Sequence, residues 1–450
     1  MTTTSHTPLR AVVRKVTARL IPILLLMYIL AFLDRSNLGF ARVQFQADTG
    51  LSDAAYALGA GIFFLGYALL EVPSNMLMRR FGAKAWLARI MISWGIVSAL
   101  MMFATEEWSF YALRVLLGIT EAGFFPGVIY FLTQWIPVEH RARVNGYFYF
   151  GAPLAFIFGG PLSGLLLDLD GLAGLAGWQI MFLVTGVITV IVGLAVIKAL
   201  PNTPRDARFL TEQEQDTLIE AMAQEEHTKE DHSPRGALRA LANPGVLYFA
   251  AAYLTIQMAV YGVTFFLPSQ IAAVTGQDVG LVVGLLTGAV WSLAIVGVLV
   301  ATRIADRTGK RRIVAASALG LAAIGILLSV VLQQPVLVLL ALAVGAAGFI
   351  AVQPVFWTLP TSFLVGAAAA SGIALINSIG SLGGFLAPIV KTWADGAFGP
   401  AGGSIVLASI AAAGAILIAC SHLVSRGVRT VAERTESVRT VPAPSERTPA

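Results

Sequence analysis

Asp306-Arg307-Thr308-Gly309-Lys310-Arg311 follows one long apolar run of this 450-residue chain, and Arg79-Arg80-Phe81-Gly82-Ala83-Lys84 follows another. In each stretch a glycine permits a tight turn between two helix ends, and the flanking cations hold those ends in water at a membrane face. One glycine among basic residues says little. Two, each after the second run in a set of six, divide the chain into matching halves.

The runs lie at about 20–41, 54–78, 85–104, 109–131, 144–167, 178–200, 245–268, 280–302, 313–332, 335–357, 370–391 and 402–424. Each is long enough to cross a hydrocarbon layer of about 30 Å as a helix. They are continuous and rich in Leu, Ala, Gly and Phe, as in Ile21–Leu33 and Val336–Ile350, whereas a membrane β-barrel shows short alternating segments. Arg14, Lys15 and Arg19 before the first run suggest a signal peptide. That run is too long, however, and leads into Asp34-Arg35 rather than a cleavage site, so it reads as a retained first helix. Overall, 57% of residues are hydrophobic and 12% charged, against about 25% charged in soluble domains. A soluble enzyme, a disordered chain and a nucleic-acid binder are excluded. A lone cysteine, Cys420, excludes an internal disulfide and a cysteine metal cluster.

The net charge of +5 is a matter of topology. Arg42 and Lys391 fall on one side of the spans and Arg35 and Arg114 inside them, while every other Lys and Arg falls on the opposite side. By the positive-inside rule both termini and the central segment are cytoplasmic. The expected divisions are a tail at 1–19, a six-helix bundle at 20–200, a polar linker at 201–243, a second bundle at 244–425 and a disordered tail at 426–450. Within the linker, Thr211 with Glu214 three residues on has the spacing of a capping box for a short amphipathic helix over Thr211–Ala223.

Ionisable side chains within a bilayer are costly, about 2.5–3.5 kcal/mol each on insertion scales, and so point to function. There are five: Asp34, Arg35, Glu71, Arg114 and Glu121, all in the first half. The second half offers Gln257, Tyr261, Gln353, Trp357, Asn377 and Ser378 instead. Arg114 and Glu121 are seven residues apart, two turns on one helix face with Gly118 between, too far for a direct pair. Arg35 and Arg114 at similar depth suit an anionic group, because a guanidinium grips a carboxylate with two parallel bonds. Glu121 is then the proton carrier. Asp34 either neutralises an arginine or carries a second proton. Glu71, nearer the cytoplasm, is expected to pair with a neighbouring basic residue. Tyr67, one turn earlier, and Asn377, at mid-depth, can face a cavity, while Trp357 near a span end also suits an interface belt.

The Asp306–Arg311 stretch resembles the loop signature of the major facilitator superfamily, the first copy departing from it with Arg79 where an acid is usual. The resemblance implies an all-α membrane fold of twelve transmembrane helices in two pseudo-symmetric six-helix bundles, with a substrate site between them and alternating access. Arg80, Gly82, Asp306, Arg307 and Gly309 would then serve structure or gating. Phe32-Leu33-Asp34-Arg35-Ser36-Asn37-Leu38, Val72-Pro73-Ser74-Asn75, Glu121-Ala122-Gly123-Phe124-Phe125-Pro126-Gly127 and Trp135-Ile136-Pro137 with Arg141-Ala142-Arg143 are similar to the anion:cation symporter family. That implies proton-coupled import of organic anions, with Arg35, Arg114 and Glu121 as functional charges and Asp34 beside them. Tyr67, Trp357 and Asn377 align with substrate contacts of its sugar-acid branch. Gly151-Ala152-Pro153-Leu154 lacks the polar side chain expected of that branch, which favours tartrate-like and phthalate-like acids. Gly159-Gly160-Pro161 partly resembles an exporter motif, but small residues there also serve helix packing.

The expectation is therefore a monomeric carrier in the bacterial inner membrane, with both termini cytoplasmic. Its partners are a small organic anion, protons and lipid, with no nucleic acid and no cofactor. The alternative is a proton-coupled exporter of drugs or metabolites. An enzyme is disfavoured because His6, His140, His227, His232 and His422 all lie in tails, loops or span ends.

Overall fold

The computed structural model describes residues 9–226, 243–363 and 367–422, and among these every regular element is helical. The expected disordered tail at 426–450 and linker residues 227–242 lie outside the described residues. Among the described residues eleven helical stretches are long and apolar enough to cross a membrane, and the remaining expected span, 370–391, falls in helix Ala367–Phe398.

The first half comprises α1 (Leu9–Thr49), α2 (Asp53–Phe81), α3 (Ala83–Leu100), α4 (Glu107–Glu121), α5 (Phe124–Thr133), α6 (Val138–Tyr149), α7 (Gly151–Leu167) and α8 (Gly177–Ala199). The linker helix α9 is Glu212–Glu226. The second half comprises α10 (Pro244–Thr264), α11 (Leu267–Thr275), α12 (Leu281–Thr308), α13 (Arg311–Val331), α14 (Pro335–Phe363), α15 (Ala367–Phe398) and α16 (Gly402–Cys420).

Two expected boundaries shift. Residues 9–19 are not a free tail: they extend α1, burying Val12 and Val16, and Lys15 reaches Glu214 of α9 at 2.7 Å. The fourth span breaks into α4 and α5 because Gly123 takes φ +85, and a Cβ there would lie 2.5 Å from the Ser74 hydroxyl. The loop glycines behave as read. Gly82 (φ +86) closes α2 and Gly309 (φ +66) closes α12, each N–H donating to the carbonyl four residues back. Thr211 and Glu214 form the reciprocal cap of α9.

The halves meet along two seams, α7 against α12 and α2 against α15. On the first, a Cβ at Gly160 would lie 2.5 Å from the Gly284 carbonyl, and one at Gly164 would lie 2.2 Å from that of Gly280. Only glycine allows this approach, so the Gly160-Pro161 stretch is a packing surface. On the second, Gly61 faces Phe385 and Gly384 faces Phe64. The face bearing the start of α1 and the linker helix is here the linker face; the other is the distal face. At the distal face Asp168 accepts the Leu281 N–H across the halves at 2.9 Å.

Candidate functional site

Asp34 and Arg35 are consecutive, so their side chains leave α1 about 100° apart. The structure sends them to different places. Arg35 turns to the junction of the halves, where one terminal nitrogen pairs with Glu121 of α4 in its own half and the other donates to the Tyr261 hydroxyl of α10 in the second half at 3.1 Å. Its guanidinium lies 5.3 Å from the ring centres of Phe32 and Tyr67 and 5.4 Å from Phe63. Glu121 is fully buried, and its second oxygen has no hydrogen-bond partner. A buried carboxylate held by one guanidinium and half satisfied is costly.

Asp34 points into the first bundle and accepts from the Ser98 hydroxyl and from Trp94 Nε1 at 3.1 Å. It neutralises neither arginine by direct contact. A second buried polar set lies close by in sequence, Asn37 joining Thr185 at 3.0 Å and Ser163 at 2.9 Å.

Arg114 departs from the expected pair of guanidiniums. It is 1% exposed and donates to the carbonyls of Gly59 at 3.0 Å and Ala60 at 3.1 Å in α2. Phe63 lies against both arginines, 5.0 Å from Arg114 and 5.4 Å from Arg35. In this conformation its donors serve backbone, which no sequence spacing reveals.

Glu71 also departs from expectation. Its partner is no basic residue but Asn377 of α15, whose Nδ2 donates to it at 3.3 Å across the second seam. Basic residues cluster in the loop beyond, but the side chain stops at the seam. Trp357 packs on Tyr253 with ring centres 4.8 Å apart and forms an aromatic wall with Phe356. Next to that wall, Gln353 donates to Gln257 at 3.1 Å. Arg80, Asp306 and Arg307 are exposed at the linker face, Arg80 lying over Phe81.

Sequence reasoning placed Tyr261 among the polar groups of the second half but did not assign it to Arg35. Its signal was Gln257 one turn earlier in an otherwise apolar helix, which marks one polar face. Phe266 was missed altogether. It is buried between the cations Arg42, 4.6 Å away, and Lys391, 4.4 Å away. These are the two basic residues that the charge count left on the distal side. Each is neutralised within its own half, Arg42 by Asp53 at 2.8 Å and Lys391 by Asp395 at 2.6 Å.

The junction is thus lined by one half's charges and by the other half's hydroxyl, amides and aromatic rings. The family model described as Major Facilitator Superfamily matches residues 24–388. An inner membrane transport protein, RhmT, of Escherichia coli is 49% identical over 91% of this chain and 95% of its own. A quinolone resistance transporter of Acinetobacter baumannii is 42% identical over 84% of this chain and 87% of its own. A putative tartrate transporter of Agrobacterium vitis is also 42% identical, over 85% and 84%. The chain belongs to the Major Facilitator Superfamily and is a multi-pass membrane transporter of the anion:cation symporter type, not an enzyme.

Proposed function

We propose that this transporter imports a small carboxylate or dicarboxylate, of the tartrate or phthalate kind, together with protons across the bacterial inner membrane. The observation that carries the reading is the Arg35–Glu121 pair at the junction, with Tyr261 completing the guanidinium's contacts from the other half. A substrate carboxylate and Glu121 compete for one guanidinium. Protonating Glu121 removes the internal competitor and leaves Arg35 free to bind the anion bidentately. Releasing the anion on the other side returns Arg35 to Glu121 and expels the proton, so neither charge stays unpaired through the cycle.

Arg114 adds positive potential from behind Phe63, and Asp34 is the second candidate proton carrier. Tyr67, Trp357 and Asn377 shape the cavity wall. The bundles at 20–200 and 244–425 rock as units, joined by the linker at 201–243. Arg80, Gly82, Asp306, Arg307 and Gly309 hold the loops of the linker face, which is cytoplasmic. Protons and lipid are the other partners, and the carrier acts as a monomer.

The quinolone resistance relative favours a second reading, proton-coupled export of a drug. Two arginines within the membrane spans, Arg114 buried and Arg35 nearly so, suit a neutral or cationic drug poorly. Purified protein in liposomes decides between them. Import predicts that L-tartrate or phthalate accumulates when the outside is made acidic, and that neither quinolone efflux nor quinolone binding is seen. Quinolone-driven proton movement without carboxylate uptake would establish the exporter.

A further inference from the structure

Glu71 is the buried carboxylate for which the cycle above has no use. The α2–α15 seam is apolar where Gly61 meets Phe385 and Gly384 meets Phe64, and toward the linker face it carries one polar contact among the described residues, Glu71 with Asn377. Glu71 is buried, accepts that single side-chain hydrogen bond on one oxygen, and has no partner on the other. No ion pair to it is found among the described residues, although Arg35 is near enough to act on it through space. A carboxylate so poorly satisfied is poised to give up its place. Its occupant position is the amide of Asn377, which the proposed function assigns to substrate.

We propose that Glu71 is the site's own stand-in for the substrate. In the empty carrier its carboxylate occupies the Asn377 amide and latches one half to the other. A substrate bearing a second carboxylate takes the amide from it. Recognition is then two-ended, with one carboxylate on Arg35 and one at Asn377, which makes the preferred substrate a dicarboxylate. The displaced Glu71 has lost its only side-chain donor, so occupancy loosens the seam. This rests on the reading of Asn377 as a substrate contact.

The first arm of the test needs no ligand. Spin labels at E139C and R311C, both exposed on the linker face and in opposite halves, report separation in a C420S background. E71A is expected to raise the ratio of separated to closed molecules at least about fivefold, and N377A to do the same, while E71Q, which keeps an acceptor, stays near the parent. Unchanged distances in E71A overturn the latch. The second arm measures L-tartrate and phthalate binding by calorimetry. E71A, which empties the Asn377 amide, is expected to bind the dicarboxylate about tenfold more tightly than the parent, with the gain lost in E71A/N377A. A merely structural Glu71 predicts weaker binding in both. Parent protein that binds while E71A binds no tighter overturns the displacement and leaves the transport reading standing. Parent protein that binds no carboxylate refutes the transport reading and the displacement together, while the first arm still decides the latch.

Discussion

Arg35 joins Glu121 of its own bundle to Tyr261 of the other, so one guanidinium spans the junction of the two halves. Removing the cation strands a fully buried carboxylate. Arg35→Ala is expected to destabilise the protein by about 3–5 kcal/mol. Arg35→Ala with Glu121→Gln, which strands nothing, should recover most of that loss. Thermal unfolding of the detergent-purified variants checks this: equal midpoints for the single and double variants contradict the pair. Arg35→Lys keeps the charge but not the planar fork, and carboxylate affinity should fall at least about tenfold.

The Phe266 ring meets Arg42 across the distal face, and no ion pair crosses there among the described residues. Arg42 keeps Asp53 and Lys391 keeps Asp395 when the halves part, so opening breaks the Arg42–Phe266 ring contact and the Asp168–Leu281 hydrogen bond and separates neither ion pair. Cation–π contacts of this kind are worth about 0.5–2 kcal/mol each. Phe266→Leu retains apolar bulk and loses the π face, so it should favour the distally open carrier, whereas Phe266→Tyr should not. Labelling of a cysteine placed beneath the ring by an impermeant maleimide measures the difference. Equal labelling of both variants contradicts a cation–π closure.

Lys15 and Glu214 tie the start of α1 to the linker helix. The Lys15 ammonium, together with the Thr211 N–H, holds the Glu214 carboxyl below the ordinary carboxylate range. The folded-state value is depressed, so the contribution is complete above the unfolded value of about 4.3 and is lost as pH falls through the lower folded value. Hydrogen exchange at the first turn of α9 should therefore show no change in protection attributable to this pair between about pH 5 and 8, with protection falling below about pH 4. Lys15→Ala should move that fall to higher pH. An identical profile in the variant contradicts the tie.

Much of the fold was legible because bilayer crossing imposes length and apolarity, and because cations mark one face. The loop glycines Gly82 and Gly309 and the Thr211–Glu214 cap followed from local rules of the same kind. Side-chain destinations did not. Asp34 and Arg35 are adjacent in sequence, yet one faces Trp94 and the other Tyr261, more than two hundred residues away. The Gly59 and Ala60 carbonyls that Arg114 reaches were not legible either, because a buried charge announces cost but not its partner. Glu71 read as a cytoplasmic ion pair since basic residues are near it in sequence, while Asn377 is near it only in space.

Glu121 carries the claim that one carboxylate couples the proton to the anion. Glu121→Gln mimics the protonated form and keeps the shape. In proteoliposomes, the variant is expected to exchange internal for external L-tartrate or phthalate at a rate comparable to the parent. It should fail to accumulate either acid when the outside is acidified. A Glu121→Gln carrier that still concentrates substrate in response to a pH gradient contradicts the account.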